Sequence, residues 1–285
     1  PYTWGFELTP FLITAYFIIM MLFASWCFLK FSKDVAIGII LFSIFIYFGL
    51  TNMPWLPLIL IYGLIGFKIG GLKLSITIVA SFLFITFTGV LPQALLSIYL
   101  CGIAVIISFI LGSSLGIWAA HNDKVSAFMR PINDTMQTMP SFVILIPFVM
   151  FFGIGEFTAL LAIIAYAFVP AMRYTEHGLR NLPETVIEAA RMIGCSQTQL
   201  LWKVKIPLAM PVIMLGLNQT IMFGLAMLVI AALVGTTGLG QLIYIGLSKA
   251  DFGTGMISGV SIALIAIIFD RTTQAWRIKL EKKTQ

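Results

Sequence analysis

The chain has 285 residues, of which 60% are hydrophobic and only 10% are charged, and its mean hydropathy is +1.04. A soluble domain carries roughly 25% charged residues, so this composition excludes a water-soluble globular protein and predicts a polytopic membrane protein. The net charge of +6 does not indicate a nucleic-acid-binding protein, because the basic residues stand at the ends of apolar runs, where membrane topology accounts for them. The chain begins at Pro1 rather than at a methionine, which leaves open whether further residues precede it.

Nine apolar runs are predicted to cross the membrane as helices. Most approach the ~20 residues that span a ~30 Å hydrocarbon core, and they are continuously apolar, unlike the alternating strands of a barrel. The short run at 54–67 is punctuated by Pro54 and Pro57, so a re-entrant segment is the alternative there. The predicted spans are 11–29, 35–50, 54–67, 73–90, 93–118, 136–152, 156–173, 208–234 and 254–274.

The basic residues assign a direction to these spans. If the carboxyl terminus is cytoplasmic and the nine crossings are counted backwards, sixteen of the seventeen Lys and Arg residues lie inside and only Lys249 lies outside. The positive-inside rule expects such a one-sided distribution. The sequence therefore predicts a multi-pass membrane protein with an external amino terminus and a cytoplasmic carboxyl terminus.

Few polar residues interrupt the spans. Gln137 lies between Met136 and Pro140, and Gln219 follows Asn218. Polar side chains within a membrane face a cavity or form hydrogen bonds between helices. Both interpretations of Asn218 and Gln219 remain open from the sequence.

The inner segment 181–207 predicts two short helices. Pro183 suits a first helical turn, and Gly194 predicts a left-handed C-cap for the first helix. Ser196 followed by Gln199 matches a capping box for the second helix, which Pro207 is predicted to end before the next span begins. The first helix is predicted to carry an apolar stripe of Val186, Ile187, Ala190 and Ile193, opposite Glu184, Glu188 and Arg191.

No residues show the spacing of an enzyme or metal site. The stretch 235–240 lacks the Gly-Lys-Ser/Thr of a P-loop and is predicted to be an outer turn. His121 and His177 have no carboxylates at metal-ligand spacing, and the three cysteines are scattered. Asp270 and Arg271 are predicted to form a solvated pair near a mouth. We therefore expect no catalytic residue and no metal ligand in this chain.

The inner segment resembles the EAA signature of permease subunits in ATP-binding-cassette (ABC) importers. It reads Glu188-Ala189-Ala190-Arg191-Met192-Ile193-Gly194 and, ten residues later, Val204-Lys205-Ile206-Pro207. Val204 and Ile206 replace the Ile and Leu that the signature usually shows. Residues 50–275 look like the permease of glycine betaine/proline betaine importers, through the runs 136–142, 152–155, 208–211, 218–220 and 238–241. The first two apolar runs depart from that pattern.

This resemblance implies an all-α type I ABC importer permease fold of about seven to nine transmembrane helices, in the bacterial cytoplasmic (inner) membrane. It implies that the first short helix is a coupling helix that docks on a separate ATPase subunit. The coupling residues would be Glu188, Ala189, Ala190, Arg191, Gly194 and Pro207. The translocation path would include Met136, Gln137, Pro140, Asn218, Gln219 and Met222.

The same resemblance implies which molecules the chain works with. They are a second copy of the chain, two ATPase subunits, an extracytoplasmic substrate-binding protein, the lipid bilayer and a small zwitterionic or quaternary-ammonium osmolyte, and they do not include nucleic acid. ATP and Mg²⁺ would bind to the ATPase partner, so this chain is expected to hold no cofactor and to catalyse no reaction.

The predicted organisation has three parts. Residues 1–53 form peripheral scaffold helices, 54–275 form the permease domain with its coupling loop at 181–207, and 276–285 form a basic cytoplasmic tail. Three alternatives remain: an ABC permease for another small solute such as an amino acid or a sulfonate, an ion-coupled secondary transporter or channel, and a membrane scaffold that transports nothing.

Overall fold

The computed structural model describes residues 55–284, so the runs predicted at 11–29 and 35–50 lie outside the described residues. The chain divides into two compact units, Pro1–Ile65 and Gly66–Gln285, and the packing described below belongs to the second. The described helices are α1 Trp55–Phe87, α2 Leu91–His121, α3 Asp123–Thr138, α4 Ser141–Phe152, α5 Glu156–Arg180, α6 Glu184–Met192, α7 Gln197–Gln199, α8 Ile206–Ala231, α9 Leu239–Ser248 and α10 Phe252–Thr284, with a π-helical turn Leu200–Lys205 and a 3-10 turn Ala232–Val234 on either side of α8.

The described elements confirm the prediction of an all-α polytopic membrane protein. Five helical segments in this part of the chain are long and apolar enough to cross a membrane. Helices α3 and α4 are bent by 103° relative to each other, and they add a sixth crossing if they form one broken span. The segment from α7 through the 3-10 turn counts as one such crossing of 38 residues. The predicted tail from residue 276 continues α10 as helix to Thr284.

The boundary predicted between the spans 54–67 and 73–90 falls at a break inside α1. Gly71 has φ +75 and ψ −166, a conformation outside the helical region. A Cβ placed on Gly66 would lie 3.4 Å from the Cα of Ser75. Residues nine apart in an unbroken helix are separated by about 13.5 Å along its axis. The chain therefore folds back on itself at Gly71.

The predicted span 136–152 is wrong in its first part. Helix α3 ends at Thr138, and α4 starts at Ser141 in a new direction. Pro140 has no N–H to continue the helical bonds, and it restricts the residue before it to extended conformations. Met139 has φ −66 and ψ 135 accordingly.

Helix α5 packs between α2 and α8, and glycines allow the close approach. A Cβ on Gly116 of α2 would lie 2.6 Å from the carbonyl oxygen of Met172 in α5. A Cβ on Gly216 of α8 would lie 2.7 Å from the Cβ of Tyr174. Without a hydrophobic force between helices in lipid, small residues at such contacts allow van der Waals packing of the backbones.

The connection after α8 contains a helix that the sequence analysis did not predict. Gly235 makes the predicted turn with φ +82, but α9 follows from Leu239. The backbone N–H of Leu239 donates to Ser97 Oγ of α2 at 2.9 Å. With ten residues, α9 is too short to show as a spanning run, so hydropathy alone could not identify it.

Candidate functional site

The segment between α5 and α8, which we call the elbow (residues 181–205), is ordered by backbone caps. Helix α6 ends in a Schellman motif: the Gly194 N–H donates to the Arg191 carbonyl at 2.9 Å, and the Cys195 N–H donates to the Ala190 carbonyl at 3.3 Å. Gly194 has φ +85. The predicted left-handed C-cap is therefore confirmed, and it turns the chain sharply after α6.

The predicted capping box at the second helix is also confirmed. The Ser196 N–H donates to Gln199 Oε1 at 3.0 Å, and the Gln199 N–H donates to Ser196 Oγ at 3.3 Å. Pro183 precedes α6 rather than standing in its first turn, a shift of one residue.

Pro207 does not end the second helix, contrary to the prediction. The chain passes from α7 through the π-helical turn Leu200–Lys205 into α8, where Pro207 occupies the first turn. Proline is tolerated there because the first residues of a helix have no N–H partner within it. The elbow and α8 are therefore joined by continuous helical backbone.

Helix α6 presents most of its surface to the exterior. Glu188, Ala189 and Arg191 are exposed, whereas Ala190 is 8% exposed. The predicted apolar stripe is divided, since Ile187 is half-buried but Val186 and Ile193 are exposed, with Ile193 at 84%. Within the described residues, Glu188 and Arg191 form no ion pair with each other. An exposed apolar edge beside unpaired charges is a surface suited to another protein.

A network of charges joins α3 to α5 directly before the elbow, and the sequence analysis missed it. Arg180 Nη2 lies 2.8 Å from Asp123 Oδ1, and Arg180 Nε donates to Glu176 Oε1 at 3.0 Å. Ser126 Oγ donates to the same Glu176 oxygen at 2.5 Å. A second ion pair joins Arg173 and Asp134. The two helices are therefore held together by charge-assisted bonds.

The polar side of α3 faces the protein and its apolar side faces outwards. Ser126 and Asn133 are each 2% exposed, while Phe128 is 68% exposed. Because its buried residues are polar and its exposed residues include apolar ones, hydropathy did not predict this helix. From the sequence alone its polar residues suggest a loop, because their partners on α5 are 39 to 57 residues away in the chain.

Two basic residues bond to the backbone of neighbouring helices. Arg180, at the end of α5, donates to the carbonyl of Ala119 near the end of α2 at 2.7 Å. Lys279 of α10 donates to the carbonyl of Lys68, beside the fold-back at Gly71. Lys249 directly follows α9 and precedes α10.

The residues predicted for the translocation path are divided between surface and interior. Gln137, Pro140 and Met222 are exposed, and Met136 and Gln219 are half-buried. Asn218 is 8% exposed; it donates to Asp270 Oδ1 at 2.8 Å and accepts from Thr273 Oγ1 at 2.6 Å. Asn218 therefore forms hydrogen bonds between α8 and α10.

Asp270 does not form the predicted solvated pair with Arg271. Its carboxylate accepts hydrogen bonds from Asn218 and, at 2.8 Å for each oxygen, from Gln274 Nε2. Across residues 55–284, no group of three or more His, Cys, Asp or Glu side chains is placed to hold a metal ion.

The chain matches the family described as binding-protein-dependent transport system inner membrane component, over residues 112–276. That range contains the elbow and all its caps. The chain belongs to this family. The resemblance to ABC importer permeases is thereby confirmed, and with it the role of a membrane subunit of a transport system.

Three relatives are permease proteins named for glycine betaine, proline betaine or trimethylamine N-oxide. The chain is 40% identical to the glycine betaine/proline betaine permease ProW of Escherichia coli over 79% of its length, but it covers only 64% of ProW. It is 42% identical to the trimethylamine N-oxide permease TmoV of Pelagibacter ubique, covering 79% of this chain and 31% of TmoV. It is 36% identical to the glycine betaine permease OpuAB of Bacillus subtilis, covering 92% of this chain and 94% of OpuAB.

A solved structure shares the fold. A chain of the MetNI methionine ABC transporter in an inward-facing conformation superposes with a TM-score of 0.59, covering 67% of this chain and 95% of its own, at 18% sequence identity. At that identity the likeness establishes the type I ABC importer permease fold alone.

Proposed function

We propose that this chain is the membrane permease of an ATP-driven importer that moves a small zwitterionic or quaternary-ammonium osmolyte into the cell by alternating access. The relatives named for glycine betaine and trimethylamine N-oxide support this class of solute, since both molecules carry a methylated, positively charged nitrogen balanced by an anionic oxygen. Such a solute has no net charge, so a path without charged residues at mid-membrane suits it.

The observation that carries this proposal is the exposed, capped helix α6. Glu188, Ala189 and Arg191 face outwards, Ala190 packs inwards, and Gly194 fixes the direction in which the helix is presented. In this proposal α6 docks on an ATPase subunit, and ATP-driven movement passes through the elbow to Pro207 and α8. Two copies of the chain related by a twofold axis would present two such helices to two ATPases.

The solute would arrive from an extracytoplasmic binding protein and cross between the two copies. Gln137, Pro140 and Met222 remain on the surface of a single chain, with Met136 and Gln219 half-buried beside them. We assign these five residues to the path. Asn218 is occupied by Asp270 and Thr273, so its part in the path is to fix α8 against α10.

The direct test is uptake by the permease reconstituted with its ATPase and binding protein in proteoliposomes. Glycine betaine, trimethylamine N-oxide and carnitine are compared, with an amino acid and a sulfonate as rival solutes. We expect Glu188→Ala to reduce ATP-driven uptake of the preferred solute by at least about tenfold, since charge-assisted contacts at an interface contribute about 1.5–3 kcal/mol. Lys249→Ala, which removes an exposed charge outside the elbow, serves as the matched control.

Normal uptake in the Glu188→Ala variant would contradict the coupling role of α6. Uptake that continues without ATP but is abolished by an ionophore would identify an ion-coupled transporter instead. A preference for the amino acid or the sulfonate would retain the importer and replace the solute.

A further inference from the structure

A cavity of about 650 Å³ opens between α3 and α5, directly before the elbow. Its volume is within the range of small-molecule sites. Its wall includes Arg130 and Asn133 from α3 and Tyr174, Glu176 and Arg180 from α5. None of the residues assigned above to coupling or to the translocation path lines it.

Two groups in this wall are left without a partner by the chain's own bonds. Arg173 and Arg180 are paired with carboxylates, whereas Arg130 forms no ion pair with any described residue. Asn133 donates Nδ2 to the sulfur of Met172 at 3.3 Å, but its Oδ1 is buried without a hydrogen-bond partner. An unpaired buried acceptor costs about 1–3 kcal/mol, so turning the Asn133 side chain to bring its Oδ1 against a positively polarised group in the cavity would stabilise it.

We propose that the cavity binds a small zwitterion, with its carboxylate on Arg130 and its positive end against Asn133 Oδ1 and Tyr174. A guanidinium holds a carboxylate through two parallel N–H···O bonds. A carbonyl oxygen and an aromatic ring both attract an alkylated ammonium group. The ligand is of the same class as the cargo, so this inference rests on the proposed function: the site takes solute already delivered to the inner side.

Occupation of the cavity restrains the elbow. The bonds from Asp123 to Arg180, from Ser126 to Glu176 and from Asp134 to Arg173 already join α3 and α5, and a bound zwitterion adds a further bridge between the same helices. Helix α5 ends at Arg180, and the connection to α6 begins with Asn181. Asn181 also lines the cavity. A ligand that binds one arrangement of two elements more tightly raises the population of that arrangement. Accumulated solute therefore slows the ATP cycle.

The test uses the permease–ATPase complex in lipid nanodiscs without the binding protein, so that solute acts on the complex alone. Glycine betaine is titrated while heat of binding and ATP hydrolysis are measured. We expect binding to the wild-type complex together with slower hydrolysis, and at least about tenfold weaker binding and no inhibition for Arg130→Gln. Arg130→Lys retains the charge without the planar fork and should be intermediate. Lys124→Gln, an exposed change on the same helix outside the cavity, should match wild type.

Three further probes identify what the cavity recognises. Acetate supplies the carboxylate alone, choline supplies the ammonium alone, and inorganic phosphate supplies an unrelated anion; each is expected to bind more weakly than glycine betaine. Absence of binding to wild type, or equal binding to wild type and Arg130→Gln, would overturn the proposal. Phosphate binding that depends on Arg130, without betaine binding, would overturn the ligand class.

Uptake measured in parallel with the binding protein separates the two proposals. Normal betaine uptake without binding in the nanodisc overturns the cavity site alone. Loss of betaine uptake in favour of another solute overturns the proposed cargo, and the cavity assignment for betaine with it.

Discussion

Gly194 determines the direction in which α6 leaves the elbow. Its φ of +85 closes the two Schellman bonds, and a Cβ at this position would meet nothing within 4 Å. The requirement for glycine is therefore conformational and not steric. A non-glycine residue held in the left-handed region costs about 1–2 kcal/mol, while asparagine tolerates it better than alanine or valine does.

Substitutions at Gly194 should reduce transport in the order of the free energy that each new residue needs to adopt the left-handed backbone conformation. We expect Gly194→Asn to retain most of the uptake, Gly194→Ala to lose several-fold, and Gly194→Val to lose the most, because valine is β-branched. ATP-driven uptake in proteoliposomes measures this order. Gly102→Ala is the control, since its Cβ also meets open space but its φ is not positive. Equal uptake in all four variants would show that the turn is not needed.

Helices α2 and α5 approach each other closely around Gly112 and Gly116. A Cβ on Gly112 would lie 2.8 Å from the carbonyl oxygen of Phe168, and one on Gly116 would lie 2.8 Å from the Cβ of Thr175. Because backbone atoms stand on the other side, neither contact can be relieved by moving the end of a flexible side chain.

We expect Gly116→Ala to destabilise the helical bundle by about 1–3 kcal/mol, the usual effect of added volume in a packed interior. The apparent unfolding temperature of the purified complex should fall accordingly. Gly102→Ala on the same helix α2 should leave it unchanged. An unaltered unfolding temperature for Gly116→Ala would mean that α2 and α5 are less closely packed than described.

The π-helical turn between α7 and α8 holds one residue more per turn than an α-helix would. Deleting the exposed Lys203 should convert it to α-helix; because five α-helical residues turn the chain by about as much as six π-helical ones, the direction of α6 is kept and only the wide turn itself is lost. We expect the variant to fold and to hydrolyse ATP but to transport little solute. The ratio of uptake to hydrolysis measures this, and Trp202→Leu, an exposed change without loss of length, is the control. A wild-type ratio after the deletion would remove the turn from the coupling route.

What the sequence could predict depended on how locally each feature is determined. The long apolar runs, the turn at Gly194 and the capping box at Ser196 are determined within a few residues, and they were predicted. The orientation of α3 depends on Glu176 and Arg180, some 50 residues away in the chain. The periodicity of apolar residues along the sequence does not predict that pairing. Pro207 misled the prediction because proline is common both after a helix and in its first turn.

At the scale of the whole molecule, the sequence predicts that the basic residues lie on one side of the membrane. Among the described residues, Lys279 of α10 bonds to the carbonyl of Lys68 beside the Gly71 fold-back, and Arg180, directly before the elbow, bonds to α2. The direction given by the positive-inside rule, in which the elbow is cytoplasmic, stays a prediction.

Labelling with a membrane-impermeant maleimide tests that direction. In a variant whose native cysteines are replaced by serine, Glu188→Cys should react only in inverted vesicles stripped of ATPase, and Lys249→Cys only in intact cells. Both positions are exposed, so a lack of reaction reports the membrane barrier. The opposite pattern would place the elbow outside and exclude contact with a cytoplasmic ATPase.

The predicted one-sided distribution of guanidinium and ammonium groups has a lasting effect on how the protein stays oriented in the bilayer. Turning the protein over would carry many cations through hydrocarbon, at about 2.5–3.5 kcal/mol for each even on lenient insertion scales. The orientation of the protein across the membrane is therefore set once, when the nascent chain inserts, and thermal motion does not reverse it.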